Sequence, residues 1–269
     1  MEKRIALIGF GEAGSTFASA AGWGSAASAY DINPARADAM TQSGVTHASD
    51  AASGLAEAQV VLSLVTADQA LKAAQQYAGE LASGALWLDM NSVAPETKRA
   101  AAAVIERRGG HYVDVAILAP VNPAKMQVPL LLAGPHAEAA QAELEQLGFT
   151  NVRNVGAEVG RASAIKMIRS VMVKGVEALT DEMMAGAHAA GVAEEVLASL
   201  DASEKTVSWT VKAPYNLERM TTHGERRAAE MEEAAATLRA LGIEPVMTQG
   251  TVQRQREAAL PKLSTKDAA

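Results

Sequence analysis

Between residue 4 and about residue 155, short runs of aliphatic and β-branched side chains alternate with Ala-rich stretches, a rhythm that predicts parallel strands joined by helical crossovers. The predicted strands are 4–9, 26–31, 60–65, 85–90, 111–117, 129–133 and 151–155, punctuated by Gly79, Gly84, Gly109-Gly110 and Gly134-Pro135. The run Val60-Val61-Leu62-Ser63-Leu64-Val65 is almost continuously apolar, as expected of a strand covered by helices on both faces. Beyond about residue 158 the strand signal stops, and long helical patterns follow with few breakers, at Gly191, Pro214, Gly224 and Gly242. The stretch 159–190 predicts one long helix and the Arg/Glu-rich stretch 217–241 another. The expected architecture is therefore an α/β domain with a doubly wound, mostly parallel sheet over 1–158 and an all-helical domain over 159–269. No internal repeat is visible, and the small, polar tail after Pro261 is expected to fray.

Composition narrows the chemistry. A chain of 269 residues, 49% hydrophobic, can bury one large core or two modest ones. Its formal net charge of -7 leaves no basic surplus for nucleic acid or for an anionic membrane. The absence of cysteine excludes disulfides, thiolate metal sites and a cysteine nucleophile, and fits a reducing compartment. Ile5-Ala6-Leu7-Ile8 lies too close to the start to be the apolar centre of a signal peptide, and no apolar run reaches the roughly 20 residues of a membrane span. These features predict an unprocessed cytoplasmic protein.

The first strand leads into Gly9-Phe10-Gly11-Glu12-Ala13-Gly14 and then a helix of small residues. A GxGxxG motif between strand and helix is the context of a dinucleotide site. Gly9 permits the tight turn, Gly11 lets a pyrophosphate approach the backbone at the helix N-terminus, and Gly14 lets helix and strand pack closely. Asp31, twenty residues past Gly11, ends the second strand, where a carboxylate accepts ribose hydroxyls and repels a 2′-phosphate. NAD is thereby favoured, with NADP left open by the nearby Arg36. A plain turn or helix cap before Pro34 is the competing role for Asp31. Leu64, Val65 and Thr66, where the strand 60–65 ends, are assigned to the same cofactor.

The helix predicted after Gly160 presents Lys166 among Ile165, Met167 and Ile168, where partial desolvation lowers an amine's proton affinity toward a range useful for acid–base work. Ser170 and Glu177 return to the face of Lys166, whereas Lys174 reads as a solvated residue paired with Glu177.

Four stretches together resemble the 3-hydroxyacid dehydrogenase superfamily, which includes hydroxyisobutyrate, tartronate-semialdehyde and 6-phosphogluconate dehydrogenases: Gly9 to Gly14, Asp89-Met90-Asn91-Ser92-Val93-Ala94-Pro95, Asp114-Val115-Ala116-Ile117, and Gly160 to Ser170. The resemblance implies that Asn91 lines the cofactor, that Ser92 meets the substrate, and that Lys166 exchanges the proton of a substrate hydroxyl whose carbon trades hydride with the nicotinamide across a cleft between the two domains. Asn91 and Ser92 can also be read as a loop and N-cap before Pro95. Two departures stand out. The family's Ser-Gly-Gly substrate loop is here Leu118-Ala119-Pro120, and its asparagine four residues past the lysine is Ser170. They imply a divergent, phosphogluconate-dehydrogenase-like branch with a bulkier or less acidic substrate.

His223, Arg226 and Arg227 fall where the family's C-terminal helix approaches the substrate, and His223, beside an expected helix break at Gly224, is the one assigned to substrate. The remaining histidines show no metal-binding spacing, so no metal is expected. The family implies a homodimer or higher oligomer formed through the helical domain. Two alternatives remain: an imine reductase, although such enzymes carry Asp or Tyr where Lys166 stands, and a non-catalytic dinucleotide sensor.

Overall fold

The computed structural model describes residues 4–203 and 206–259. The chain divides into two compact units, Met1–Ser170 and Val171–Ala269.

The first unit is built in the order β1 (Ile5–Ile8), α1 (Glu12–Ala21), β2 (Ala27–Tyr30), α2 (Ala37–Gln42), β3 (Thr46–His47), α3 (Ala51–Leu55), β4 (Val60–Ser63), α4 (Ala70–Tyr77), β5 (Leu86–Asp89), α5 (Pro95–Arg107), β6 (His111–Ile117), β7 (Leu130–Ala133), α6 (Ala137–Gln146) and β8 (Val152–Asn154), followed by the first turns of α7 (Arg161–Ala190). The strands form one sheet in the order β3-β2-β1-β4-β5-β6-β7-β8. Neighbours run parallel except β6 and β7, which are antiparallel. The chain winds first one way from β1 and then, through β4, the other, so the order switches between those two strands. In such sheets ligands gather at the carboxyl ends of the strands beside that switch.

Each central strand is buried on both faces because successive side chains alternate between two cores. Leu7, Phe10, Phe17, Leu62, Leu88 and Phe149 fill one core, and Ile8, Val61, Trp87, Ile105 and Tyr112 the other. Pro95 opens α5, where its fixed backbone angle suits the first helical position and its missing N–H has no partner to lose. The face that α5 turns to the sheet carries Lys98, Ala101, Ala102 and Ile105, so a lysine is fully buried among small apolar residues.

The second unit takes α7 onward and adds α8 (Ala193–Ser203), α9 (Trp209–Ala240) and α10 (Val246–Ala259). The break expected at Gly224 does not occur: α9 runs through both Pro214 and Gly224. α10 packs tightly against Gly224, since a Cβ there would stand 2.2 Å from the Gln255 carbonyl oxygen. Glu182 of α7 caps α10, its carboxylate accepting the N–H groups of Met247 (2.7 Å) and Thr248 (2.9 Å) and the Thr248 hydroxyl (2.6 Å). The expected Lys174–Glu177 pair and the tail after Pro261 lie outside the described residues. Among the described residues no helix is long and apolar enough to cross a membrane, and no group of His, Asp or Glu is placed to hold a metal.

Candidate functional site

At the carboxyl ends of β1, β2 and β4 lies a cavity of 480 Å3, bordered by Gly9, Gly11, Glu12, Asp31, Leu64, Val65 and Thr66. Gly9 and Gly14 are each held to glycine by a neighbouring carbonyl, and Gly11 is not. Gly9 has φ +93°, and a Cβ on it would stand 2.5 Å from the Leu64 carbonyl oxygen. At Gly14 a Cβ would meet the Gly9 carbonyl at 2.8 Å, whereas at Gly11 it would meet nothing within 4 Å and would project into open space. A helix N-terminus with bare backbone and room before it suits the pyrophosphate of a dinucleotide. Phe10 contributes only its backbone here, because its side chain is fully buried in the core and Ala13 packs against that core.

The Phe10 N–H donates to Asp31 Oδ2 at 2.6 Å, and the Asn33 N–H donates to Asp31 Oδ1 at 2.8 Å. Asp31 thus ties the end of β2 to the glycine turn. The cap of the short helix at Pro34 is supplied by Asn33, whose side chain accepts from the Ala35 N–H at 3.1 Å. Tyr30, Lys72 and Tyr77 also border the cavity, none of them assigned to it from sequence, as does Arg36, the residue that left NADP open. Tyr30 and Tyr77 meet edge to face at 6.1 Å, and burial, with the neighbouring Tyr30 and Asp31, raises the Tyr77 phenol above its usual range.

The segment after β5 forms the second part of the site. Asn91 is buried; its side-chain amide donates to Ser63 Oγ (3.0 Å) and Asp89 Oδ1 (2.8 Å), and its N–H donates to Asp89 Oδ1 (3.0 Å). Its side-chain oxygen is buried and has no hydrogen-bond partner among the described residues. Ser92 does not cap α5, whose N-cap is Ala94 with no side-chain bond. Instead the Ser92 hydroxyl accepts a hydrogen bond from the ammonium of Lys166, which is half-buried on the second turn of α7. Ser170, one turn further on, is half-buried too. Arg169 donates to the Leu118 carbonyl at 3.2 Å and so fastens the loop Leu118-Ala119-Pro120 to α7. His223 belongs to the second unit, where it is exposed on α9.

Beneath this site lies a charged cluster that the sequence reading missed. Lys98 Nζ donates to the Asp89 carbonyl (2.5 Å) and to Asp89 Oδ1 (3.0 Å), and stands 3.5 Å from Asp114 Oδ1. The Tyr112 hydroxyl donates to Asp89 Oδ2 at 2.7 Å. Burial, reinforced by the Asp89 carboxylate, pushes that phenol well above its ordinary value and keeps it a donor. Asp114 Oδ2 accepts from the Gly160 N–H (3.1 Å), the Ser163 N–H (3.0 Å) and the Ser163 hydroxyl (3.3 Å), capping α7 from β6. One signal was available: Lys98 shares the helical spacing of Ala101, Ala102 and Ile105, an apolar stripe on which a lysine must find buried partners.

A domain of unknown function (DUF1932) matches residues 187–258. A conserved hypothetical protein from Sinorhizobium meliloti 1021 is 38% identical, aligned over 100% of this chain and 91% of its own, with a TM-score of 0.64. Conserved protein MTH1747, described as structurally similar to 3-hydroxyacid dehydrogenases, is 33% identical over 95% of this chain and 96% of its own, with a TM-score of 0.61. The imine reductase from Myxococcus stipitatus in complex with NADP+ shares the fold, with a TM-score of 0.77 at 22% identity over 95% of this chain and 93% of its own. The family described as the NAD binding domain of 6-phosphogluconate dehydrogenase matches residues 4–156, more than half of the chain. The chain therefore belongs to that NAD-binding family, and its cofactor is NAD(P).

Proposed function

We propose that the protein is an NAD(P)-dependent oxidoreductase acting on the CH–OH group of a small 3-hydroxy acid or a related alcohol or aldehyde, with Lys166 as general acid/base. The observation that carries this reading is the hydrogen bond from Lys166 to Ser92, which holds an amine and a hydroxyl together at the carboxyl end of β5. In the proposed division of labour, residues 1–158 hold the cofactor and residues 159–269 serve substrate and assembly.

The residues present fit the cofactor: bare backbone at Gly11, the carboxylate of Asp31 and the unpartnered oxygen of Asn91 supply anion, ribose and amide contacts in turn. Bound there, NAD(P) supplies the hydride acceptor or donor. Lys166 takes the hydroxyl proton in the oxidising direction and returns it in the reducing one. Ser92 fixes the amine and can hydrogen-bond the substrate oxygen, while Ser170 and His223 are the remaining substrate-side assignments, each tested by its effect on KM.

A spectrophotometric screen of hydroxy acids, aldehydes and cyclic imines with NAD and NADP tests reaction class and cofactor together. Lys166→Ala should lower turnover about 10²- to 10⁴-fold while NADH affinity stays within about threefold. Full turnover by that variant overturns the acid–base role. Turnover of imines alone would favour the reductase reading, which the shared fold supports, and NADH binding without turnover of any compound would favour a sensor. A homodimer or larger assembly is proposed from the exposed Val171, Met172 and Val176 of α7 and the exposed Leu197 and Leu200 of α8, a set for light scattering to test. A cytoplasmic location, proposed from the cysteine-free composition, is tested by cell fractionation.

A further inference from the structure

We propose that Lys98 is a positioning residue that holds Ser92 and Lys166 within reach of each other, by clamping the two buried carboxylates from which their segments hang. This inference rests on the reading of Lys166 as the proton-transfer group, and extends it to residues that touch neither substrate nor cofactor.

The register of the sheet creates the need. Asp89 and Asp114 are paired neighbours on the parallel strands β5 and β6, and both are buried, so two like charges stand side by side in the core. Lys98 lies against both, at 3.0 Å from Asp89 and 3.5 Å from Asp114. Formal charges of one cation and two carboxylates leave one negative charge, and it faces the N–H groups of Gly160 and Ser163 at the positive end of α7. Each carboxylate also anchors one half of the site. Asp89 holds the N–H and the amide of Asn91, one residue before Ser92. Asp114 holds Ser163, one turn before Lys166. Among the described residues the ammonium at 98 is the one group bonded or paired to both anchors, so its loss lets the like-charged carboxylates move apart, which loosens the Ser92–Lys166 contact.

The test reads the Lys166 amine directly, without turnover. The full chain is treated with a limiting amount of acetic anhydride, and acetylation of Lys166 relative to the exposed Lys72 is measured by peptide mass spectrometry. Ser92→Ala calibrates the signal of an amine that has lost its Ser92 contact. Asp114→Asn removes one anchoring charge, and Lys98→Met with Asp114→Asn restores the net charge of the cluster while deleting the clamp. Both variants should fold, shown by circular dichroism and a cooperative thermal melt, and both should raise Lys166 acetylation to about the Ser92→Ala level. With a substrate in hand, each should lower kcat about tenfold or more, as misplacement of the proton-transfer group requires. Should Asp114→Asn alone fail to fold, the charge-conserving double variant decides the matter. A folded double variant whose Lys166 acetylates at the wild-type rate overturns the proposal. Unimpaired turnover by Lys166→Ala would sink the functional reading instead, and would leave the acetylation result standing.

Discussion

Gly11→Ala separates cofactor binding from folding. Gly11 sits at the N-cap of α1 with φ -77° and ψ -155°, extended backbone open to any residue, and a Cβ there meets no protein atom within 4 Å. Alanine is a poorer N-cap than glycine by roughly 0.5–1 kcal/mol. It also restricts the unfolded chain, which returns about 0.4–1 kcal/mol, so the two effects nearly cancel and stability should change by less than about 0.5 kcal/mol. The added methyl occupies the space through which a pyrophosphate reaches the helix N-terminus. Losing one charge-assisted N–H contact there costs about 1.5–3 kcal/mol, or about tenfold to 150-fold in Kd. Gly9→Ala is the contrasting case, because its Cβ would stand 2.5 Å from the Leu64 carbonyl at a φ of +93°. Left-handed backbone alone costs a side chain about 1–2 kcal/mol, before the clash is counted. NADH fluorescence titration together with thermal melting should therefore show Gly11→Ala folded and binding weakly, and Gly9→Ala unstable. A Gly11→Ala protein that binds NADH as wild type does would refute the placement of the pyrophosphate.

Glu182→Gln replaces one acceptor of the α10 cap by a donor and removes its charge, which should lower stability by about 1–3 kcal/mol at neutral pH. Burial alone would raise the proton affinity of Glu182, but its bonds to Thr248 and Met247 outweigh that and hold it below the ordinary 4.5. Its stabilisation is therefore complete above pH 4.5 and lost as the pH falls through the lower folded value, so melting curves of variant and wild type should converge in acid; a constant gap would contradict the cap. Gly224→Ala drives a methyl to 2.2 Å from the Gln255 carbonyl and should cost about 1–3 kcal/mol by melting, whereas an unchanged melt would deny the close approach of α9 and α10. Asp31→Asn removes the charge that repels a 2′-phosphate, and the ratio of NADP to NAD affinity should rise about tenfold in parallel titrations; no rise would remove Asp31 from the ribose site.

The central strands are legible in the sequence because parallel strands buried on both faces must be apolar throughout, as β4 is. β3 left no trace: Thr46–His47 is two exposed residues long, too short for any alternation to register. Pro214 and Gly224 were read as breakers by propensity, yet α9 runs through both. Pro214 stands in the second turn of α9 and forfeits a single hydrogen bond there, and Gly224 is kept small by α10. Of the site, the glycine turn was visible because Gly9 and Gly14 answer local backbone requirements and complete a spaced motif with Gly11. The Asp89–Lys98–Asp114 cluster was not, because its members converge only through strand register and the facing of α5, neither of which a linear pattern fixes. Tyr30 and Tyr77 were hidden for the same reason, being brought together from β2 and α4.

The double duty of Asp31 bears on any attempt to re-engineer cofactor preference. Its carboxylate receives the Phe10 N–H at 2.6 Å, so the residue that would be exchanged to admit a phosphorylated ribose is also the tether of the phosphate-binding turn. Phe10 offers no second handle, since its ring is locked inside the protein. With Asp31 at the ribose as proposed, selectivity and turn rigidity are traits of a single side chain, and a swap at position 31 will loosen one while altering the other unless a new acceptor for that backbone amide is introduced alongside it.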